Sequence, residues 1–139
     1  MKQVIVALVA LGLCGVVQAQ AKHDATSEKQ KMCYEQGHKV ASSMHDVIQV
    51  STHYIPSRNI CLGKVLRNTL DESHKIIGRW GYLFDAFKRT DFGTCYQRLD
   101  QSETVSICTV HKYPTGKFTS LNSWSDWTTE TDVWMHAQE

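Results

Sequence analysis

The chain has 139 residues, with 15 Lys/Arg against 14 Asp/Glu for a formal net charge of +1; so even a balance argues against general nucleic-acid or anionic-membrane binding, and the length allows one modest core rather than two. The charge is unevenly distributed: residues 22–98 hold 12 Lys/Arg and 8 Asp/Glu, whereas residues 99–139 hold 2 and 6, so +4 stands against −4. The acidic end is expected to pack across the basic half of its own domain.

The chain opens MKQVIVALVALGLCGVVQAQA, with Lys2, an apolar run from Val4 to Val17 and small residues at Ala19 and Ala21. That is the three-part pattern of a secretory signal peptide, residues 1–19, with cleavage alternatively after residue 21. The run is short for a membrane span. Leu11-Gly12-Leu13-Cys14 matches a lipobox poorly, because Leu13 is bulky where a small residue is wanted. The expectation is one small secreted domain over residues 20–139, extracellular or, in a bacterium, periplasmic, with no membrane association once the signal is removed. Four cysteines then remain, Cys33, Cys61, Cys95 and Cys108. An even number in an exported chain reads as two disulfides, and sequential pairing is expected because each bond would bridge neighbouring elements. No Cys-x-x-Cys is present, so a redox motif is excluded and the paired spacing of a structural zinc site is missing.

Ser27-Glu28-Lys29-Gln30 has the form of a capping box, and Cys33, Gly37, Val40, Met44, Val47 and Ser51 follow at helical spacing. This predicts an amphipathic helix over about 27–51, which Pro56 ends. A second helix is predicted over about 60–89, because the apolar residues from Leu62 to Phe87 fall within an arc of ~140° at 100° per residue, Trp80 among them. Gly78 and Gly81 would bend it. Thr94–Leu99 and Thr104–Val110 are rich in β-branched and aromatic residues and predict a hairpin turning at Asp100-Gln101-Ser102. Tyr113-Pro114-Thr115-Gly116 suits a type I turn, with Lys117–Leu121 returning as a third strand and Asp132–Met135 as a fourth. The predicted fold class is α+β: two helices packed on a small antiparallel sheet over about 94–135, stabilised by disulfides.

Seven histidines invite a catalytic or metal reading, but no metal site, catalytic residue or cofactor is assigned. His38 and His45 lie on one helix face ~10 Å apart, too far to share an ion unaided. Asp71-Glu72-Ser73-His74 gathers a carboxylate, a hydroxyl and an imidazole, yet on a helix Ser73 would point away from Asp71 and His74. No His-Glu-x-x-His, Gly-x-Ser-x-Gly or phosphate-cradling glycine loop occurs.

The remaining signal is aromatic. Trp124, Trp127 and Trp134 crowd the final segment, and Trp124-Ser125-Asp126-Trp127 resembles the Trp-Ser-x-Trp motif of thrombospondin type 1 repeats and, with Thr128 replacing the final Ser, of type I cytokine receptors. The resemblance implies a C-mannosylated Trp124 and rings stacked on guanidinium groups of a neighbouring strand. Arg98 is the only arginine after Arg89, so no Trp/Arg ladder can be built from this region alone, and the motif is read as a candidate modification site. As a strand, residues 124–127 would send their two rings to opposite faces; as a helical turn, to one.

The function expected is that of a secreted binding protein of inhibitor, signalling-ligand or effector type, acting through its surface on a protein partner or small ligand. Its expected contacts are Trp124, Trp127 and Trp134, with a basic face of Arg67, Lys75 and Arg79 second. The alternatives are a small secreted hydrolase with a histidine site assembled by the fold, and a carrier of an apolar ligand. A His beside a carboxylate in a cleft would favour the hydrolase, a closed apolar cavity the carrier, and an exposed Trp patch on a filled core the binding protein.

Overall fold

The computed structural model describes residues 24–100 and 106–138. The expected signal peptide and the tip of the Arg98–Ser106 connection lie outside the described residues. Two helices pack on a six-stranded antiparallel sheet in an α+β arrangement. Helix α1 spans 24–41; strands β1 Val47–Ile55, β2 Ile60–Leu70, β3 Ile76–Asp85, β4 Thr90–Arg98, β5 Ser106–Lys112 and β6 Lys117–Leu121 follow, and helix α2 Trp124–Met135 closes the fold. Each strand pairs with its sequence neighbours, so the sheet is a simple meander ordered β1 to β6.

The two helices lie on opposite faces. Helix α2 covers Ile60, Leu62, Leu83, Cys95, Cys108 and Val110 with Trp124, Trp127, Trp134 and Ala137. Helix α1 covers Cys61, Val65 and Phe84 on the other face, around its own Cys33 and Ala41. The cysteines pair sequentially, as expected: Cys33–Cys61 ties α1 to β2, and Cys95–Cys108 joins directly opposed residues of β4 and β5. Each bond closes a loop for which chain entropy predicts a stabilisation of ~3–4 kcal/mol.

Two predicted elements are replaced. The long helix over 60–89 is instead β2 and β3, joined by a hairpin at residues 71–75. Both faces of β2 are buried at its first six positions, so its apolar residues run almost without interruption and fit a helical arc as readily as a strand. Three glycines carry the distinction, for they would weaken a helix by about 1 kcal/mol each. Gly63 and Gly81 are where aromatic rings lie against bare backbone, Phe84 on the first and Trp127 on the second. The hairpin is fixed by Asp71, whose Oδ1 accepts from Ser73 N–H, Lys75 N–H and the Ser73 hydroxyl, while His74 takes a left-handed φ of 64°. Asp71 is therefore a turn residue.

The first helix is already formed at residue 24 and ends at 41, so Ser27 and Gln30 are not its cap and residues 47–51 begin β1. Gln30 Oε1 accepts from Tyr54 N–H at 3.2 Å, binding α1 to β1. Pro56 opens a single 3-10 turn, Pro56–Arg58, at the β1–β2 corner. Strands β4, β5 and β6 stand where the hairpin and third strand were predicted, although the turn before β6 contains a cis Tyr113–Pro114 bond. The fourth strand is absent because residues 132–135 complete α2.

Candidate functional site

Helix α2 starts at a cap within the sequence Ser123-Trp124-Ser125-Asp126. Ser123 Oγ accepts from Asp126 N–H at 3.0 Å and donates to Asp126 Oδ2 at 2.8 Å. A Ser followed three residues later by an acidic residue is a helix-start signal, and it went unread beside the tryptophans. The helix sets Trp124, Trp127, Thr131 and Trp134 on one buried face. Trp127 is fully buried and Trp134 nearly so; their indole N–H groups donate to Thr109 O at 3.2 Å and His111 O at 2.5 Å. The three tryptophans are buried as the core of the α2 face rather than exposed as the expected contacts. Trp124 and Trp127 share one environment, with ring centroids 5.6 Å apart.

The stacking cations come from the sheet. Arg79 of β3 lies over Trp124 at 4.7 Å and donates through Nε to Gln97 Oε1 at 2.5 Å. Lys64 of β2 lies 5.5 Å from the Trp127 ring and pairs with Asp132 at 2.7 Å. Enclosed between Arg79 and Trp127, Trp124 is 9% exposed, so any C-linked sugar would have to precede folding. The Lys64–Asp132 pair joins the basic and acidic halves of the chain, whereas Lys112–Glu130 lies within the acidic end's own hairpin and helix. Beside Lys64 a polar recess of about 340 Å³ is lined by Gln49, Ser51, Thr52, Asp132, Met135 and His136.

The proposed basic face does not exist as one surface. Arg67 and Arg79 sit on opposite faces of the sheet, since Arg67 opposes Trp80 across β2 and β3 while Arg79 opposes Asn68. Lys75 is exposed in the hairpin tip. A helix would have gathered all three; a strand pair disperses them.

The residues left partly open form an ordered row. Pairing sets Arg67 of β2, Trp80 of β3, Tyr96 of β4 and Ile107 of β5 side by side on the face that carries α1. Helix α1 covers the other end of that face. The Arg67 guanidinium lies over Trp80 at 4.6 Å, and Tyr96 leans across Gly78. Arg67, Trp80 and Tyr96 are partly exposed, whereas Ile107 is 70% exposed. Along β3, Trp80, Tyr82 and Phe84 stack at centroid spacings of 5.3 and 4.8 Å, so the row is continuous with the α1 core. The Tyr82 hydroxyl donates to Asp91; burial, and then this hydrogen bond, push its pKa above the usual phenol value. Sequence reasoning named Arg67 but placed Trp80 in a core stripe and passed over Tyr96 and Ile107. The legible signal was the alternation Gly78-Arg79-Trp80-Gly81-Tyr82, whose period of two sets Trp80 and Tyr82 on one side and Arg79 and Gly81 on the other.

Three of the histidines bond to the backbone. His53 Nε2 lies 2.7 Å from Ala137 O, His111 Nδ1 2.9 Å from Gly116 O, and His136 Nδ1 2.8 Å from Asp132 O. Among the described residues no three of His, Cys, Asp and Glu converge on one point, and no helix is long and apolar enough to cross a membrane. No family model, curated protein or solved structure matches this chain.

Proposed function

We propose that the protein is a secreted binding protein that engages a protein partner through the open part of the α1-side face. The observation that carries this reading is the row Arg67, Trp80, Tyr96 and Ile107, partly exposed on a sheet whose opposite face is filled by three tryptophans. Trp, Tyr and Arg are the side chains that dominate protein interfaces, because each offers a large, nearly rigid contact area with polar atoms at its edge. The rings are held before any partner arrives: Trp80 lies between Arg67 and Tyr82, so little side-chain entropy is left to lose on binding. The two disulfides suit an oxidising compartment and support export, in agreement with the amino-terminal sequence.

The test compares three immobilised proteins exposed to the fluid into which the protein is secreted: the wild type, Trp80→Ala/Tyr96→Ala, and a Val133→Ala control on the outer side of α2, where Val133 is 47% exposed. A partner should be retained by the wild type and the control and lost with the double variant. Equal retention by all three would place the binding surface elsewhere.

A further inference from the structure

Resting on this reading of the open face, we infer that the partner presents an acidic side chain to Arg67 and an apolar side chain four residues away to Tyr96 and Ile107. Among the described residues Arg67 has no such partner. Its guanidinium makes no ion pair or hydrogen bond among the described residues, and its Nε is buried without an acceptor. The contrast with other cationic side chains is direct: Lys64 has Asp132, Arg79 has Gln97, Arg98 has Asp100 and Lys112 has Glu130. A buried donor without a partner costs stability, so its presence beside a partly exposed aromatic ring needs an explanation that folding alone does not supply. Nε is enclosed, and Arg67 itself remains partly exposed. The aromatic seat fixes the plane of a guanidinium whose fork matches a carboxylate.

The charge on this face selects the class of anion. Arg67 is the cation of the row, and the carboxylate of Asp91, beside the stacked rings, is engaged by the Tyr82 hydroxyl. One positive charge suits a single carboxylate and is too little for a nucleic acid, whose binding is built from many phosphate contacts. The rest of the row is aromatic and aliphatic, which calls for an apolar side chain beside the acidic one.

The register supplies the spacing. Arg67 and Ile107 are separated by three strand-to-strand steps, roughly 14 Å at the usual spacing of neighbouring strands. An extended peptide laid along the row covers that distance in about four residues, and residues i and i+4 project to the same side. The recognised element is therefore an extended segment with Asp or Glu and an aliphatic or aromatic residue at positions i and i+4, in either order.

The experiment is selection of a random twelve-residue peptide library on the full, disulfide-bonded protein, followed by titration of the selected peptides against the wild type, Arg67→Gln, Arg67→Lys and Trp80→Ala/Tyr96→Ala. Circular dichroism and Tm of each variant establish that it is folded. Selected peptides should carry the acidic and apolar residues at the stated spacing. Arg67→Gln should weaken them by about tenfold or more, the scale of a lost charge-assisted hydrogen bond, and Arg67→Lys should restore only part of this. Changing the acidic residue of the peptide to its amide should cost the wild type a similar factor and Arg67→Gln almost nothing. Peptides without an acidic residue that bind Arg67→Gln as well as the wild type, yet are lost with Trp80→Ala/Tyr96→Ala, would overturn this inference and leave the open-face reading standing. Peptides indifferent to the double variant, or no selected peptides at all, would count against both.

Discussion

Arg67 with Trp80 and Arg79 with Trp124 are the same chemical pair on the two faces of one sheet, with guanidinium-to-ring distances of 4.6 and 4.7 Å. The second pair is covered: Trp124 is 9% exposed under α2, and Arg79 is bonded to Gln97. The first remains partly open, and the Nε of its arginine has no hydrogen-bond partner among the described residues. An arginine on a tryptophan therefore does not by itself indicate core or surface. What separates the two is whether a second element supplies area over the ring and an acceptor for the guanidinium, since unpaired donors are tolerated only at a cost.

The largest expected difference between the pairs is in stability. Trp124→Ala empties a site in the α2 core and should cost ~3–5 kcal/mol, whereas Trp80→Ala removes a cross-strand contact worth roughly 1 kcal/mol. Chemical denaturation of the two variants measures this, and equal losses would dissolve the distinction between covered and open faces. Arg79→Ala should come next, at ~1.5–3 kcal/mol, because it leaves the buried Gln97 amide without its partner. Arg67→Met should act in the opposite direction, gaining up to ~1 kcal/mol and raising Tm by relieving the orphaned Nε. A stabilised protein that binds its partner less well would mark Arg67 as a residue held for function at a cost to the fold.

The smallest effect is in alkali. The pKa of Tyr82 is raised in the folded state, so the folded protein holds that proton more tightly than the unfolded chain does. The associated stability is intact below the unfolded phenol pKa of about 10 and is lost as pH rises beyond it. Tyr82→Phe should flatten that part of the Tm-against-pH curve relative to the wild type, and an unchanged slope would mean that burial and the Asp91 contact do not raise the Tyr82 pKa in solution.

The fold was legible where a segment's pattern had one interpretation. The hairpin of β4 and β5, the return of β6 and the pairing of Cys95 with Cys108 follow from short β-rich segments separated by turn residues. Residues 60–70 were hard to read because both faces of β2 are buried over its first six positions, so its alternation disappears and a helical arc fits by coincidence. That misreading moved Trp80 into an imagined core and gathered Arg67, Lys75 and Arg79 on one face. At the carboxyl end the reverse happened. The Ser123/Asp126 cap announced a helix, and with it three tryptophans on one buried face, whereas the segment read as a strand would have divided its rings between two faces.

The sequence by itself determined the α+β class, the two disulfides and the opposition between a basic body and an acidic end, because composition, cysteine count and strand-forming segments act locally. Tertiary structure alone decided which tryptophan is open. Trp80 and Trp124 carry the same side chain, and their difference arises from which face of the sheet each helix covers. That depends on the register of β2 against β3 and on where α2 lands, both of which are set by contacts between residues distant in sequence.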